Sequence, residues 1–88
     1  MNFPKEIAGV AVHVCEAIPE AERQLTESDE RDVLNHILRL QRLYGSELFS
    51  VAIAVCPDPG YMAVEAHIRR ESGSVAVLFT FRRSHHKV

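Results

Sequence analysis

FSVAIAVCPDPGYMAVEAHIRRESGSVAVLFTF is the sequence of residues 49–81, and it contains three alternating segments separated by two turn sequences. Apolar side chains, most of them large, take every second position in residues 49–56, 61–69 and 75–81. Pro57-Asp58-Pro59-Gly60 and Glu71-Ser72-Gly73-Ser74 lie between them and are rich in turn-forming residues. Alternation with a period of two predicts strands that bury one face. The stretch therefore predicts a three-stranded antiparallel meander.

The two turns also predict a register. A turn centred on Asp58 and Pro59 makes four apolar pairs, which are Val55 with Met62, Ile53 with Val64, Val51 with Ala66 and Phe49 with Ile68. A turn centred on Ser72 and Gly73 makes three more, which are Ile68 with Val77, Ala66 with Phe79 and Val64 with Phe81. A slip of one residue would mix the two faces. We therefore expect one large-residue face, covered by helices.

Residues 29–44 predict a helix. Val33, Leu34, Ile37 and Leu38 belong to an apolar stripe with helical spacing, and Gly45 follows as a stop. Ser28 is the predicted N-cap, with acidic residues in the first turn behind it.

Residues 7–15 fit two structures. Val10, Val12 and Val14 alternate as in a strand. Polar positions spaced by three or four residues indicate a helix instead, and these are Glu6, Gly9, His13, Glu16, Glu20 and Arg23. We favour a helix from about Pro4 to Ala17, with Pro19 interrupting it or opening a short second helical turn through Gln24, and keep the strand as the alternative. The predicted fold class is α+β: two N-terminal helical segments packed on a three-stranded antiparallel β-meander (ααβββ), in a single domain over residues 1–88.

Composition limits the classes of function that are open to the chain. The chain has 88 residues and a net charge of −2, whereas nucleic-acid-binding domains are usually basic. Two cysteines are too few for a disulfide framework, and no apolar run or basic leader indicates a membrane span or signal peptide. We expect a soluble cytoplasmic protein. We also expect no cofactor and no metal, because His13, Cys15, His36 and Cys56 do not have the spacing of a zinc motif.

The second face of the predicted sheet is more informative than the first. Its middle positions are small, whereas a face exposed to water is normally more polar. The predicted partner-binding residues on this face are Leu48, Ser50, Ala52, Ala54, Tyr61, Ala63, Glu65, His67, Arg69, Ala76, Leu78 and Thr80. An apolar surface of this kind on a small protein favours an interaction site. We expect a partner protein or a second copy of the chain to dock there.

Glu65, His67 and Arg69 share this face, and the predicted register adds Thr80 beside Glu65, Ser50 beside His67, and Arg82 opposite Ala63. A carboxylate that orients a histidine can support acid–base chemistry. A solvated group of ion pairs explains the same residues, and we favour that interpretation. We therefore predict no catalytic residue.

The C-terminal tail is basic and contains histidine. Arg82, Arg83, His85, His86 and Lys87 form an alternative nucleic-acid-binding set, because arginine and lysine neutralise phosphate charge. A meander that runs into such a tail resembles the small ribosome-dependent mRNA-cutting toxins of toxin–antitoxin pairs. The resemblance covers residues 61–88 and implies RNA contact and acid–base roles for Arg82, Arg83, His85 and His86.

From these features we predict a small protein-interaction module that acts as an adaptor, regulator or inhibitor and forms a homodimer. A phage or mobile-element accessory protein has this size. The alternatives are a toxin-like ribonuclease or a non-catalytic RNA binder that uses the basic tail.

Overall fold

The computed structural model describes residues 3–15 and 25–84. In this part of the chain two short strands come first, β1 (Glu6–Ile7) and β2 (Val10–Val14). The described part of the chain then contains the helix α1 (Glu27–Tyr44), and a 3-10 turn at Gly45–Glu47 leads into the sheet. Three longer strands complete the fold, and they are β3 (Leu48–Val55), β4 (Tyr61–Arg70) and β5 (Gly73–Arg82).

The strands form one mixed sheet in the order β1-β2-β3-β4-β5, in which β2 and β3 are parallel and the other neighbours are antiparallel. A parallel pair needs a long crossover connection, and the segment that contains α1 provides it. The predicted ααβββ architecture of the α+β class is therefore wrong, as is the prediction that the sheet is only an antiparallel meander. The meander is present, but two more strands extend it.

The predicted helix from Pro4 is also wrong over the described residues, and the strand alternative is correct there. Ile7 and Val10 pair across a two-residue turn in which Ala8 has φ 51° and Gly9 has φ 81°. Two positive φ values define the type I′ turn that suits hairpins. Val10 and Val12 then point into the core. The predicted helical turn around Pro19 to Gln24 lies outside the described residues.

The prediction of a helix over residues 29–44 is confirmed, but the helix begins two residues earlier. Thr26, not Ser28, is the N-cap: its side chain accepts a hydrogen bond from the Asp29 backbone N–H, and the Asp29 carboxylate accepts one from the Thr26 N–H. This reciprocal pair is a capping box. Val33, Ile37 and Leu40 face the sheet and are buried.

The predicted first hairpin register is confirmed at three of its four pairs, Val55 with Met62, Ile53 with Val64 and Val51 with Ala66. At the fourth position a bulge places Leu48 opposite Ile68, so Leu48 enters the core and Phe49 does not. The second register is wrong by two residues, because the turn consists of Glu71 and Ser72 and pairs Arg70 with Gly73. Ile68 therefore faces Val75, and Ala66 faces Val77.

The core lies between α1 and one face of the sheet. Val51, Ile53, Met62, Val64 and Ile68 are almost fully buried there. Phe79 and Phe81 of β5 pack against the same cluster. Within residues 3–15 and 25–84, no helix is long and apolar enough to cross a membrane.

Candidate functional site

The face of the sheet that points away from α1 is the candidate site, and we call it the open face. Alternation along the strands assigns its residues. They are Ala11 and His13 on β2, Phe49, Ser50, Ala52 and Ala54 on β3, Tyr61, Ala63, Glu65, His67 and Arg69 on β4, and Ala76, Leu78, Thr80 and Arg82 on β5. The structure thus brings together eleven of the twelve predicted partner-binding residues. Leu48 is the exception, since it is 5% exposed and belongs to the core.

The centre of the open face carries short side chains, and exposed apolar side chains lie toward its margin. Ala52, Ala54 and Ala63 are half-buried by their neighbours in the sheet. Leu78 lies near the β5 margin with 66% of its surface exposed, and Tyr61 is also exposed. Short side chains in the middle let the backbone of a second molecule approach closely, while the margin offers apolar contact.

A hydrogen-bonded chain of three side chains crosses β3 and β4 on this face. Ser50 and His67 are cross-strand partners, as predicted, and the Ser50 Oγ lies 2.6 Å from His67 Nδ1. His67 Nε2 lies 2.8 Å from Glu65 Oε1. An ionised carboxylate only accepts hydrogen bonds, so Nε2 carries the proton that it donates to Glu65. In the neutral ring, Nδ1 then accepts the hydroxyl proton of Ser50.

Serine, histidine and a carboxylate in series are also the parts of a nucleophilic catalytic site. Such a site requires a hydroxyl that substrate can reach. Ser50 is 6% exposed and lies on a strand that has a paired strand on either side. The chain of hydrogen bonds is therefore suited to fixing the His67 ring and the Glu65 carboxylate in place.

The bulge at the start of β3 adds an aromatic ring to the open face. Phe49 was expected in the core, but its ring lies 6.1 Å from that of His67, and the Arg69 guanidinium lies 5.1 Å from the Phe49 ring centre. Cation–π contact at this distance is favourable. The open face therefore carries a fixed negative group, Glu65, and an ordered positive group, Arg69.

Other predicted neighbours on the face differ because of the two-residue change in register. Leu78, not Thr80, is the cross-strand partner of Glu65. Thr80 is the partner of Ala63, and Arg82 is the partner of Tyr61. Apolar Leu78 thus lies next to the polar chain, which places the polar and apolar parts of the face side by side.

The structure places the predicted nucleic-acid-binding residues in different environments. Arg82 is exposed, whereas Arg83 is buried. The Arg83 Nη2 lies 2.6 Å and its Nε 2.8 Å from the two carboxylate oxygens of Asp29, and Nη1 donates to the carbonyl of Pro59 at 2.8 Å. His85, His86 and Lys87 lie outside the described residues. The nucleic-acid interpretation thus stays a prediction, with Arg82 as its surface residue.

The ion pair joins β5 to the first turn of α1. Burial by itself would raise the pKa of Asp29, but the hydrogen bonds from Arg83 and Thr26, together with the positive charge of Arg83, hold it below its ordinary value. Ser84 reinforces the connection, because its N–H and hydroxyl both donate to Asp32. Asp29 therefore remains ionised in the interior.

His36 is a polar side chain that lies against the core. Its ring stacks on Phe81 at 5.2 Å and meets the edge of Phe79 at 5.3 Å. Its Nε2 is buried and has no hydrogen-bond partner in the described part of the chain. Burial, assisted by the charge of Arg39, lowers the pKa of His36.

Among residues 3–15 and 25–84, no three histidine, cysteine or acidic side chains are grouped as metal ligands would be.

Sequence reasoning did not assign Ala11, His13 and Phe49 to the open face. The first two belong to β2, and the alternation of Val10, Val12 and Val14 was the signal that could have found them. The position of Phe49 on the open face depends on a bulge, which the alternating pattern does not show.

Comparisons with protein-family models, with curated proteins and with solved structures found no match to this chain.

Proposed function

We propose that this chain is a protein-interaction module, acting as an adaptor, regulator or inhibitor, and that its open face binds a partner protein. The observation that carries the proposal is a sheet face that none of the described elements covers, with alanines at its centre and the exposed Leu78 at its margin. A contiguous apolar patch exposed to water is a frequent mark of a binding surface. A helix or strand of a partner can approach closely over a surface of short side chains.

The polar residues of the open face give the surface an orientation. Glu65 is held by His67, and Arg69 lies over Phe49, so a negative and a positive group have fixed positions four residues apart on β4. Complementary charges on a partner select its orientation more than they raise its affinity. The proposed partner therefore carries an apolar strip flanked by charges of both signs.

The proposal is tested with Ala54→Arg, which puts a long charged side chain in the middle of the open face. Leu43→Arg is the matched control, because Leu43 is exposed on α1, away from the sheet. Each variant is immobilised, bound proteins are identified, and the affinity of any candidate is measured with purified components. A partner that binds the wild type and Leu43→Arg but not Ala54→Arg supports the proposal. Equal binding to all three, or no partner at micromolar concentration, contradicts it.

We also propose that the protein acts in the cytoplasm. Cys15 and Cys56 are both free and half-buried, which suits a reducing compartment. Fractionation of cells that express a tagged chain tests this directly.

A further inference from the structure

One side of the β5 backbone has no partner among the strands that the structure describes. It is the last strand of the sheet, so only β4 pairs with it in the described part of the chain. The run from Val75 to Phe81 contains no charged residue, glycine or proline. Sheet edges are normally protected by charges, prolines, bulges or very short strands. The opposite edge is protected in this way, because β1 contains only two residues.

The direction of the free backbone groups follows from one hydrogen bond. The Arg83 N–H donates to the Gly60 carbonyl at 2.8 Å, on the β4 side. Backbone N–H and C=O groups point to alternate sides along a strand. The odd-numbered residues of β5 therefore face β4, and Ala76, Leu78 and Thr80 direct their N–H and C=O groups to the free edge.

Exposed apolar side chains occur on both faces of this strand. Leu78 is 66% exposed on the open face, and Val75 is 48% exposed on the opposite face, against which α1 packs. A molecule bound to either face alone would cover one of them. A strand added at the edge would contact both.

We propose that β5 pairs antiparallel with β5 of a second copy, around a two-fold axis at Leu78. The seven-residue run is centred on Leu78, so this register pairs Val75 with Phe81, Ala76 with Thr80, and Val77 with Phe79 across the interface. Leu78 lies opposite Leu78 of the second copy. The backbone N–H and C=O groups of these two residues point outward from their own sheets and hydrogen-bond to each other. Arg82 faces Ser74 and not another arginine. The paired segment is about 24 Å long at the usual rise of a strand.

This geometry gives a closed assembly of two copies. A two-fold interface uses the same edge of both copies, so the assembly ends at a dimer. An axis perpendicular to the sheet keeps both open faces on one side and both α1 helices on the other. The inference goes beyond the proposed function and does not require that the open face binds a partner.

Solution mass tests the dimer. We expect sedimentation and light scattering to give twice the chain mass of 9.9 kDa at micromolar concentration. Leu78→Lys should give monomers, since it puts two ammonium groups at the axis. Leu43→Lys, the same change at a residue that is 72% exposed on α1, should leave the dimer intact. A monomeric wild type at several hundred micromolar, or equal dimerisation of both variants, would overturn the inference.

A second pair of variants tests the register and does not depend on Leu78. Because Ala76 faces Thr80 of the other copy, A76E/T80K places opposite charges together twice, and A76K/T80K places like charges together twice. We expect A76E/T80K to dimerise about tenfold more tightly, with the difference shrinking at high salt. Equal affinities would refute this register. Ala54→Arg should leave the solution mass of the dimer unchanged, because Ala54 lies two strands from the edge. The dimer proposal and the open-face proposal can therefore fail separately.

Discussion

Replacing Arg83 by methionine should destabilise the protein more than any other single change to a charged residue of β5 or the segment after it. Methionine keeps much of the apolar stem of arginine but removes the guanidinium. Asp29, which is 2% exposed, then keeps its hydrogen bonds from Thr26 but loses its counter-charge. Removing one member of a buried ion pair costs about 3–5 kcal/mol, because the other charge stays buried without compensation. An 88-residue domain has a free energy of unfolding of roughly 4–13 kcal/mol, so this loss is a large fraction of it.

Arg82→Met is the matched control, since Arg82 precedes Arg83 directly and is exposed. Its cost should stay within about 0.5 kcal/mol, as for most surface substitutions. Urea unfolding followed by circular dichroism measures both variants at pH 7. A third variant, Asp29→Asn, leaves the Arg83 charge buried and should also be strongly destabilised. The double variant Asp29→Asn/Arg83→Met leaves neither charge, so it should cost clearly less than the sum of the two single variants.

The pH dependence supplies an independent check. The pKa of Asp29 is below its ordinary value of 3.8 in the folded protein. The stability that this group contributes is therefore fully present above pH 3.8 and is lost as the pH falls through the lower, folded value. Arg83→Met should lose much of this acid-dependent contribution. If Arg83→Met costs no more than Arg82→Met, or if the double variant equals the sum of the singles, the buried pair does not stabilise the fold as the structure indicates.

Four further outcomes are expected. His36→Leu should raise the free energy of unfolding by about 1 kcal/mol, because it removes Nε2, which has no hydrogen-bond partner among the described residues. Because burial lowers the pKa of His36, the wild type should also lose stability below pH 6.5 in urea melts, and the variant should lack that decline. Ala8→Asn should stabilise by roughly 0.5–1 kcal/mol, since asparagine tolerates the positive φ at this turn better than alanine, and thermal melts would show no gain if the turn differs. Ser50→Ala should cost about 1 kcal/mol and change the His67 ring signals in NMR, whereas unchanged signals would contradict the hydrogen-bonded chain. Removal of residues 85–88 together with Arg82→Ala should abolish salt-dependent retention on an RNA matrix if the tail binds nucleic acid, and unchanged retention would exclude that role.

Much of the sheet could be predicted because its signals are local. The alternation in residues 49–81 and the turn residues at 57–60 are enough to place the first hairpin, and the register of three pairs follows from them. The second hairpin shows the limit of this reasoning. A slip of one residue exchanges the two faces, but a slip of two residues leaves every side chain on its own face. The apolar pattern of β5 therefore fits both registers equally, and the conformation of the turn at Glu71 and Ser72 decides between them.

Two local patterns compete in the N-terminal segment, and the prediction followed the helical one. β2 has five residues, and its neighbour β3 begins more than thirty residues later in the sequence. A short strand of this kind is stabilised by its parallel partner and by α1, and neither is visible in residues 7–15. The helical spacing that competed with the alternation needed Glu16, Glu20 and Arg23, which lie beyond the end of β2. Alternation over a few residues was thus the more reliable signal, because it was complete within the element itself.

The same alternation separates the two arginines at the end of β5. Val75, Val77, Phe79 and Phe81 face the helix side, and continuing the odd series places Arg83 on that side as well. Arg82 continues the even series onto the open face. An arginine that continues a core-facing series needs an acidic partner inside the protein, because a buried guanidinium without one is costly. Asp29 is that partner, and it explains why an aspartate of the helix capping box is buried. The residues of a basic tail that continues a strand should therefore be assigned to one face or the other before they are assigned to nucleic acid. Here one of the two adjacent arginines is buried against Asp29, and the other is exposed.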